Sequence, residues 1–107
     1  MPAPRPGRPV RGSRTGRPIM AAFDLLGRRW ALRVLWELRG EPHTFRSLRA
    51  ACDEISPAVL NTRLRELREA GLIERLEEGY GLTQLGGQLI AALKPLDSWA
   101  KRWNRTG

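Results

Sequence analysis

Five residues in one short stretch carry side chains suited to reading another molecule: Ser56, Ala58, Asn61, Thr62 and Arg65. Spacings of three and four put Ala58, Asn61, Thr62 and Arg65 on one face of a helix, with Glu69 further along. The amide of Asn and the guanidinium of Arg are forks that match the edges of adenine and guanine, and small neighbours let bases approach. The face holds no lysine, although an amphipathic helix with an ordinary polar surface shows the same periodicity. Other chemistry finds no such grouping. His43 is the sole histidine and has no Cys or His at metal-ligand spacing, which makes it a surface turn residue. No nucleophile pairs with a base and no phosphate-binding glycine loop is present, so neither an enzyme nor a metal or cofactor site is expected.

The elements that hold the five residues follow from local signals. Ser56 suits the N-cap and Pro57 the first helical position, where no N–H donor is needed, and Gly71 closes the helix. Val59, Leu60, Leu64 and Leu67 form its apolar face. Before it, Thr44 can cap a shorter amphipathic segment over 45–52, followed by the non-helical 53–55. A short helix, a tight connection and a longer helix form a helix-turn-helix, whose second helix enters the major groove of duplex DNA.

The rest of the chain supplies a frame. It has 107 residues, 19 Lys+Arg against 11 Asp+Glu and a net charge of +8, which fits one small domain with affinity for nucleic acid. A core this limited favours helical layers aided by dimerisation over a deep catalytic cleft. The single cysteine excludes an internal disulfide and suits a reducing compartment. No apolar run is long enough to cross a bilayer, so a cytoplasmic protein without a membrane partner is expected.

Residues 1–18 contain no acid and carry Arg5, Arg8, Arg11, Arg14 and Arg17 among prolines and glycines, the composition of a disordered tail. Arginine at every third residue would line one edge of a polyproline II chain. Gly7-Arg8-Pro9 and Gly16-Arg17-Pro18 resemble the centre of the minor-groove AT-hook without its preceding basic residue; compositional drift, or a true start at Met20, accounts for them as well.

From 19 to 105 a folded domain is expected. Residues 20–26 read as a helix interrupted by Gly27, and 30–38 as a second, with Leu32, Leu35, Trp36 and Leu38 available to the core and Gly40 as terminator. Alternation over 72–77, the Glu78-Gly79 turn and a return over 80–83 predict a β-hairpin. A last helical region carries Leu85, Leu89, Ile90, Leu93, Leu96, Trp99 and Trp103, and Pro95 should kink or divide it. Trp99 and Trp103 are too much apolar surface for the end of a solvated helix and call for a partner.

Helix, helix, helix, recognition helix, hairpin, helix is the order of a winged helix-turn-helix, mainly α with a small β wing. The residues also resemble the HxlR-type bacterial transcription regulators, relatives of the MarR group. The resemblance runs through Asp24-Leu25-Leu26-Gly27 with Trp30, Leu35-Trp36-Glu37-Leu38 with Gly40, and Phe45 with Leu48. It continues through Ile55-Ser56, Leu60, 64–67, Gly71-Leu72-Ile73, Arg75, 80–86, Pro95 and Trp103. It implies a homodimer joined by the N- and C-terminal helices, which gives Phe23, Leu96, Trp99 and Trp103 a partner surface. Two departures stand out. Members that sense electrophiles or oxidants carry a cysteine where this chain has Arg17, and Cys52 reads as an inert, partly buried thiol. The wing is short, with Glu77 and Glu78 near its tip.

The expectation is a dimeric DNA-binding transcription regulator whose small-molecule effector, where one exists, is unspecified. Ser56, Ala58, Asn61, Thr62 and Arg65 face bases, and Thr44, Arg46, Arg49, Arg63 and Arg75 hold phosphates, although Arg46, Arg49 and Arg63 fit solvated charges almost as well. A winged helix used only for protein interaction is the alternative. It would expect an apolar or acidic face where Asn61, Thr62 and Arg65 stand.

Overall fold

A computed structural model describes residues 3, 4, 6, 7 and 16–106. The order is α1 (Pro18–Leu26), α2 (Ala31–Glu37), α3 (Phe45–Ala51), α4 (Pro57–Glu69), β1 (Ile73–Leu76), β2 (Gly79–Leu82) and α5 (Gln84–Thr106). The strands pair antiparallel with Ile73 opposite Leu82 and Leu76 opposite Gly79. His43 adds a bridge to Tyr80, its N–H donating to the Tyr80 carbonyl at 3.0 Å and its carbonyl accepting at 2.8 Å. Gly79 is required there: its φ is 156°, and a Cβ would lie 2.2 Å from the His43 carbonyl oxygen.

The caps are local chemistry. Thr44 Oγ1 accepts from Ser47 N–H at 3.0 Å to start α3, and Ser56 Oγ accepts from Val59 N–H at 3.3 Å to start α4. At the end of α4, Gly71 at φ 79° donates to the Arg68 carbonyl and Leu72 to the Leu67 carbonyl, a paired closure that satisfies two orphan acceptors. Thr83 then joins three elements. Its hydroxyl donates to the Gly71 carbonyl at 2.6 Å and accepts from Gly86 N–H at 3.1 Å, and its own N–H donates to the Leu72 carbonyl at 3.0 Å.

Leu35 from α2, Leu48 from α3 and Leu60, Leu64 and Leu67 from α4 meet in the core, closed by Ile73, Tyr80 and Ile90. This places the apolar face of α4 against the other helices and turns its polar face outward.

Several expectations are corrected. The first helix begins at Pro18, inside the stretch assigned to the tail, because proline fits N1 and Arg17 takes the cap position. The second starts at Ala31, since Trp30 at φ 75° is left-handed and cannot be helical. That start puts Ala31, Val34, Leu35 and Leu38 inward and leaves Leu32 exposed. It also ends at Glu37, before Gly40. Pro95 does not divide α5: the carbonyl it leaves without a helical donor belongs to Ala91, an exposed residue where water can serve. His43 is half-buried and part of the wing sheet. Of the Arg/Pro/Gly-rich stretch 1–18, residues 1, 2, 5 and 8–15 lie outside the described residues, and with them Arg8 and Pro9 of the first AT-hook-like centre, whereas Gly16-Arg17-Pro18 leads into α1. Ala3 packs in the core cluster.

Candidate nucleic-acid interface

The outer face of α4 carries the residues expected there. Ala58, Asn61 and Arg65 are exposed and Thr62 is half-buried. Thr62 Oγ1 donates to the Ala58 carbonyl at 3.0 Å, which ties the hydroxyl to its own helix and leaves it able to accept. Ser56 spends an acceptor lone pair on its cap and keeps its O–H to donate outward. Asn61 and Arg65 have no side-chain partner among the described residues. The structure therefore presents two free forks, one helical turn apart, on the second helix of a helix-turn-helix.

The five residues expected at phosphates divide into two groups. Arg46 is exposed and without a side-chain partner among the described residues, and Thr44 lies exposed at the start of α3. Arg75 is exposed on β1, oriented by donation to Tyr80 Oη at 2.9 Å and by the Tyr80 ring 5.0 Å away. Arg49 and Arg63 are engaged inside the fold. Arg49 donates to the Ile55 carbonyl at 2.7 Å and pairs with Glu54 at 3.2 Å. It thereby braces the turn between α3 and α4, where Asp53 (φ 56°) and Glu54 (φ 59°) are left-handed in succession. Arg33 holds the other side of that turn, bonding Ala51 O, Asp53 and Glu37, and the Glu37 hydrogen bond raises its already high pKa. Arg63 donates to the Arg29 carbonyl at 2.6 Å and to Glu66 Oε1 at 2.8 Å.

Glu66 is the centre of that second arrangement. It is 4% exposed and accepts from Arg63 on one oxygen and from Arg28 on the other, while Arg28 also reaches Asp24 at 3.5 Å. These groups join the end of α1 and the α1–α2 connection to the flank of α4. Sequence reading missed Glu66 because it stands between Arg65 and Leu67 like any surface glutamate and its partner Arg28 is 38 residues away.

Arg68 was missed too. It is exposed, seven residues beyond Asn61, and lines with Arg65, Arg75 and Glu74 a cleft of ≈490 Å³ between α4 and β1. The series 61, 65, 68 was a visible signal at four- and three-residue spacing. The wing tip carries exposed Glu77 and Glu78, which repel phosphate.

Cys52 is fully buried at the C-cap of α3, and burial pushes its thiol pKa up, with Arg33 opposing. The thiol is neutral and unreachable at neutral pH. Labelling by a disulfide reagent should then follow global unfolding in urea; rapid labelling of the native protein would contradict the burial.

A second surface stands apart. Phe23 on α1 and Leu96, Trp99 and Trp103 on α5 are all exposed, as are Ile19 and Leu85. The two indoles stack at 5.3 Å with 24° between planes. Beyond Ile90 no residue of α5 is buried. Among the described residues no His, Cys, Asp and Glu gather to hold a metal, and no helix is long and apolar enough to cross a membrane.

Known proteins share this architecture. The family model described as HxlR-like helix-turn-helix matches residues 25–107. The HTH-type transcriptional regulator YvaP of Bacillus subtilis is 30% identical over 77% of this chain and 82% of its own. The HTH-type transcriptional regulator YodB of the same organism is 30% identical over 81% and 84%. The crystal structure of quinone-bound YodB superposes with a TM-score of 0.73 at 32% identity, over 78% of this chain and 96% of that one. A structure described as that of a possible HxlR family transcriptional factor from Thermoplasma volcanium gives 0.68 at 27% identity, over 76% and 79%.

Proposed function

The chain belongs to the HxlR-like helix-turn-helix family of transcription regulators, and from that premise we propose that it acts as a homodimer reading two half-sites in duplex DNA. It is a DNA-binding regulator and not an enzyme. Helix α4 enters the major groove. Asn61 and Arg65 hydrogen-bond base edges, and Ser56, Ala58 and Thr62 pack close to them. Thr44, Arg46 and Arg75 hold backbone phosphates, joined by Arg68, while Arg49 and Arg63 serve the protein's own turn and core. The observation that carries this reading is the pair of unpartnered forks, Asn61 and Arg65, on the exposed face of the second helix.

Two copies joined through Phe23, Leu96, Trp99 and Trp103 would cover the apolar face of α1 and α5 and set the separation of the two recognition helices. That YodB has been solved with quinone bound supports a small molecule as the signal here as well. The single thiol, Cys52, is buried, which supports a signal that forms no thiol adduct. The regulator works in the reducing cytoplasm.

The test is base readout. Asn61→Ala or Arg65→Ala should each cost about 1–3 kcal/mol on a duplex selected from random sequence and relax preference at one position. Arg68→Ala should weaken selected and random duplexes alike and flatten the salt dependence. Equal loss on both kinds of duplex for Asn61→Ala and Arg65→Ala would overturn the assignment.

A further inference from the structure

We infer that the apolar cleft between α1, the end of α4 and the first turns of α5 is a binding site for a small, uncharged aromatic molecule. The cleft measures ≈350 Å³, within the range of about 300–1,000 Å³ typical of small-molecule pockets. Leu25 from α1, Leu72 from the foot of the wing, and Leu85 and Leu89 from α5 supply its walls. No charged side chain lines it among the described residues, and Gln88 is the one lining side chain able to hydrogen-bond. An ion entering would give up its hydration for nothing, whereas a neutral ring gains apolar contact with the walls. A single hydroxyl or carbonyl on that ring matches the single amide at the rim.

The chain's own start closes the remaining side. Pro4 and Pro6 line the cleft, and Ala3 is buried, its N–H 3.4 Å from Glu69 Oε2 on α4. Ala70 and Leu72, the C-cap of α4 and the residue that completes its closure, lie on the lining. A molecule seated there touches the end of the recognition helix, the base of the wing and the segment hydrogen-bonded to Glu69. Occupancy and the placement of α4 are therefore linked, a regulatory consequence that rests on the DNA reading above. Binding itself does not rest on it.

The experiment uses the full chain without DNA, with 2-naphthol as the neutral probe and 2-naphthoate as its anionic counterpart of similar size. 2-Naphthol should saturate at one molecule per chain and bind at least tenfold more tightly than the carboxylate. Ala22→Phe, which fills the cleft from its half-buried lining position, should weaken 2-naphthol at least tenfold. Gln88→Leu, at an exposed position, should bring 2-naphthol down to the affinity of naphthalene and leave naphthalene unchanged, which keeps the test sharp should Ala22→Phe fail to fold. Non-saturating binding, equal binding of 2-naphthoate, or unchanged binding in a folded variant would overturn the site. So would loss of binding as protein concentration rises, which would mean that a second copy covers the cleft. With the selected duplex added, 2-naphthol should shift DNA affinity at least threefold; no shift with saturable binding would overturn the linkage. Failure of the unliganded protein to prefer any duplex would strike the DNA reading and leave the binding result standing.

Discussion

Replacing Trp99 and Trp103 together with alanine will give a protein that sediments as a folded monomer at concentrations where the unaltered chain is a dimer. Both indoles lie beyond the last buried residue of α5, stacked on each other and 47% and 65% exposed, and Phe23 stands 60% exposed on α1. Truncating an aromatic side chain that is buried in an interface typically costs about 3–5 kcal/mol. A two-fold interface contains each position twice, so even about 6 kcal/mol in total raises the dissociation constant by roughly four orders of magnitude. Because the indoles contribute nothing to the core around Leu35, Leu60 and Leu67, the circular dichroism of the monomer should be retained. Sedimentation showing the unaltered chain already monomeric at micromolar concentration would reject the interface. A double variant that remains dimeric would reject it equally.

Glu66→Ala will be the most destabilising single change at a charged position. The substitution leaves the Arg28 and Arg63 guanidiniums, with side chains 12% and 19% exposed, facing each other without the carboxylate that bridges them. Removing one member of a buried ionic cluster costs about 3–5 kcal/mol, a large share of the roughly 5–15 kcal/mol that holds a small domain folded. A urea titration should show the midpoint fall with little change in slope. Glu66→Gln should fall between, since the amide oxygen can still accept from one arginine while its NH2 group confronts the other. A midpoint shift worth less than about 1 kcal/mol for Glu66→Ala would show that Asp24 and the Arg29 carbonyl suffice to hold the two arginines.

What the sequence made legible was whatever rests on neighbours along the chain. Ser56, Pro57 and Gly71 bound α4 because capping and proline geometry act within one turn. Thr44 starts α3 and Thr83 precedes α5 for the same reason. The outward placement of Ala58, Asn61 and Arg65 follows from helical periodicity alone. What escaped depends on residues far apart in sequence. Trp30 takes a left-handed conformation that no local preference of tryptophan predicts, and that shift exchanged Leu32 for Val34 in the core. Arg49 and Arg63 look like surface charges until the Ile55 and Arg29 carbonyls and the Glu66 carboxylate come within reach. An arginine's type does not say whether its fork is used inside or outside the fold.

The joint at Thr83 has a mechanical meaning. Gly86 sits so tightly on the Leu72 carbonyl that a Cβ there would lie 2.0 Å from its oxygen, and Thr83 ties both Gly71 and Leu72 to the start of α5. The end of α4 and the root of α5 therefore turn as one rigid piece. With 23 residues, α5 is a lever about 34 Å long at about 1.5 Å per residue. A rotation of about 5° at its root swings its far end, where the tryptophans stand, by about 3 Å, close to the roughly 3.4 Å between successive base pairs along a DNA strand. In the dimer proposed above, a rotation of about 5° of this piece would therefore be enough to shift by about one base pair the register in which two copies meet a duplex, with no side chain at the DNA surface altered.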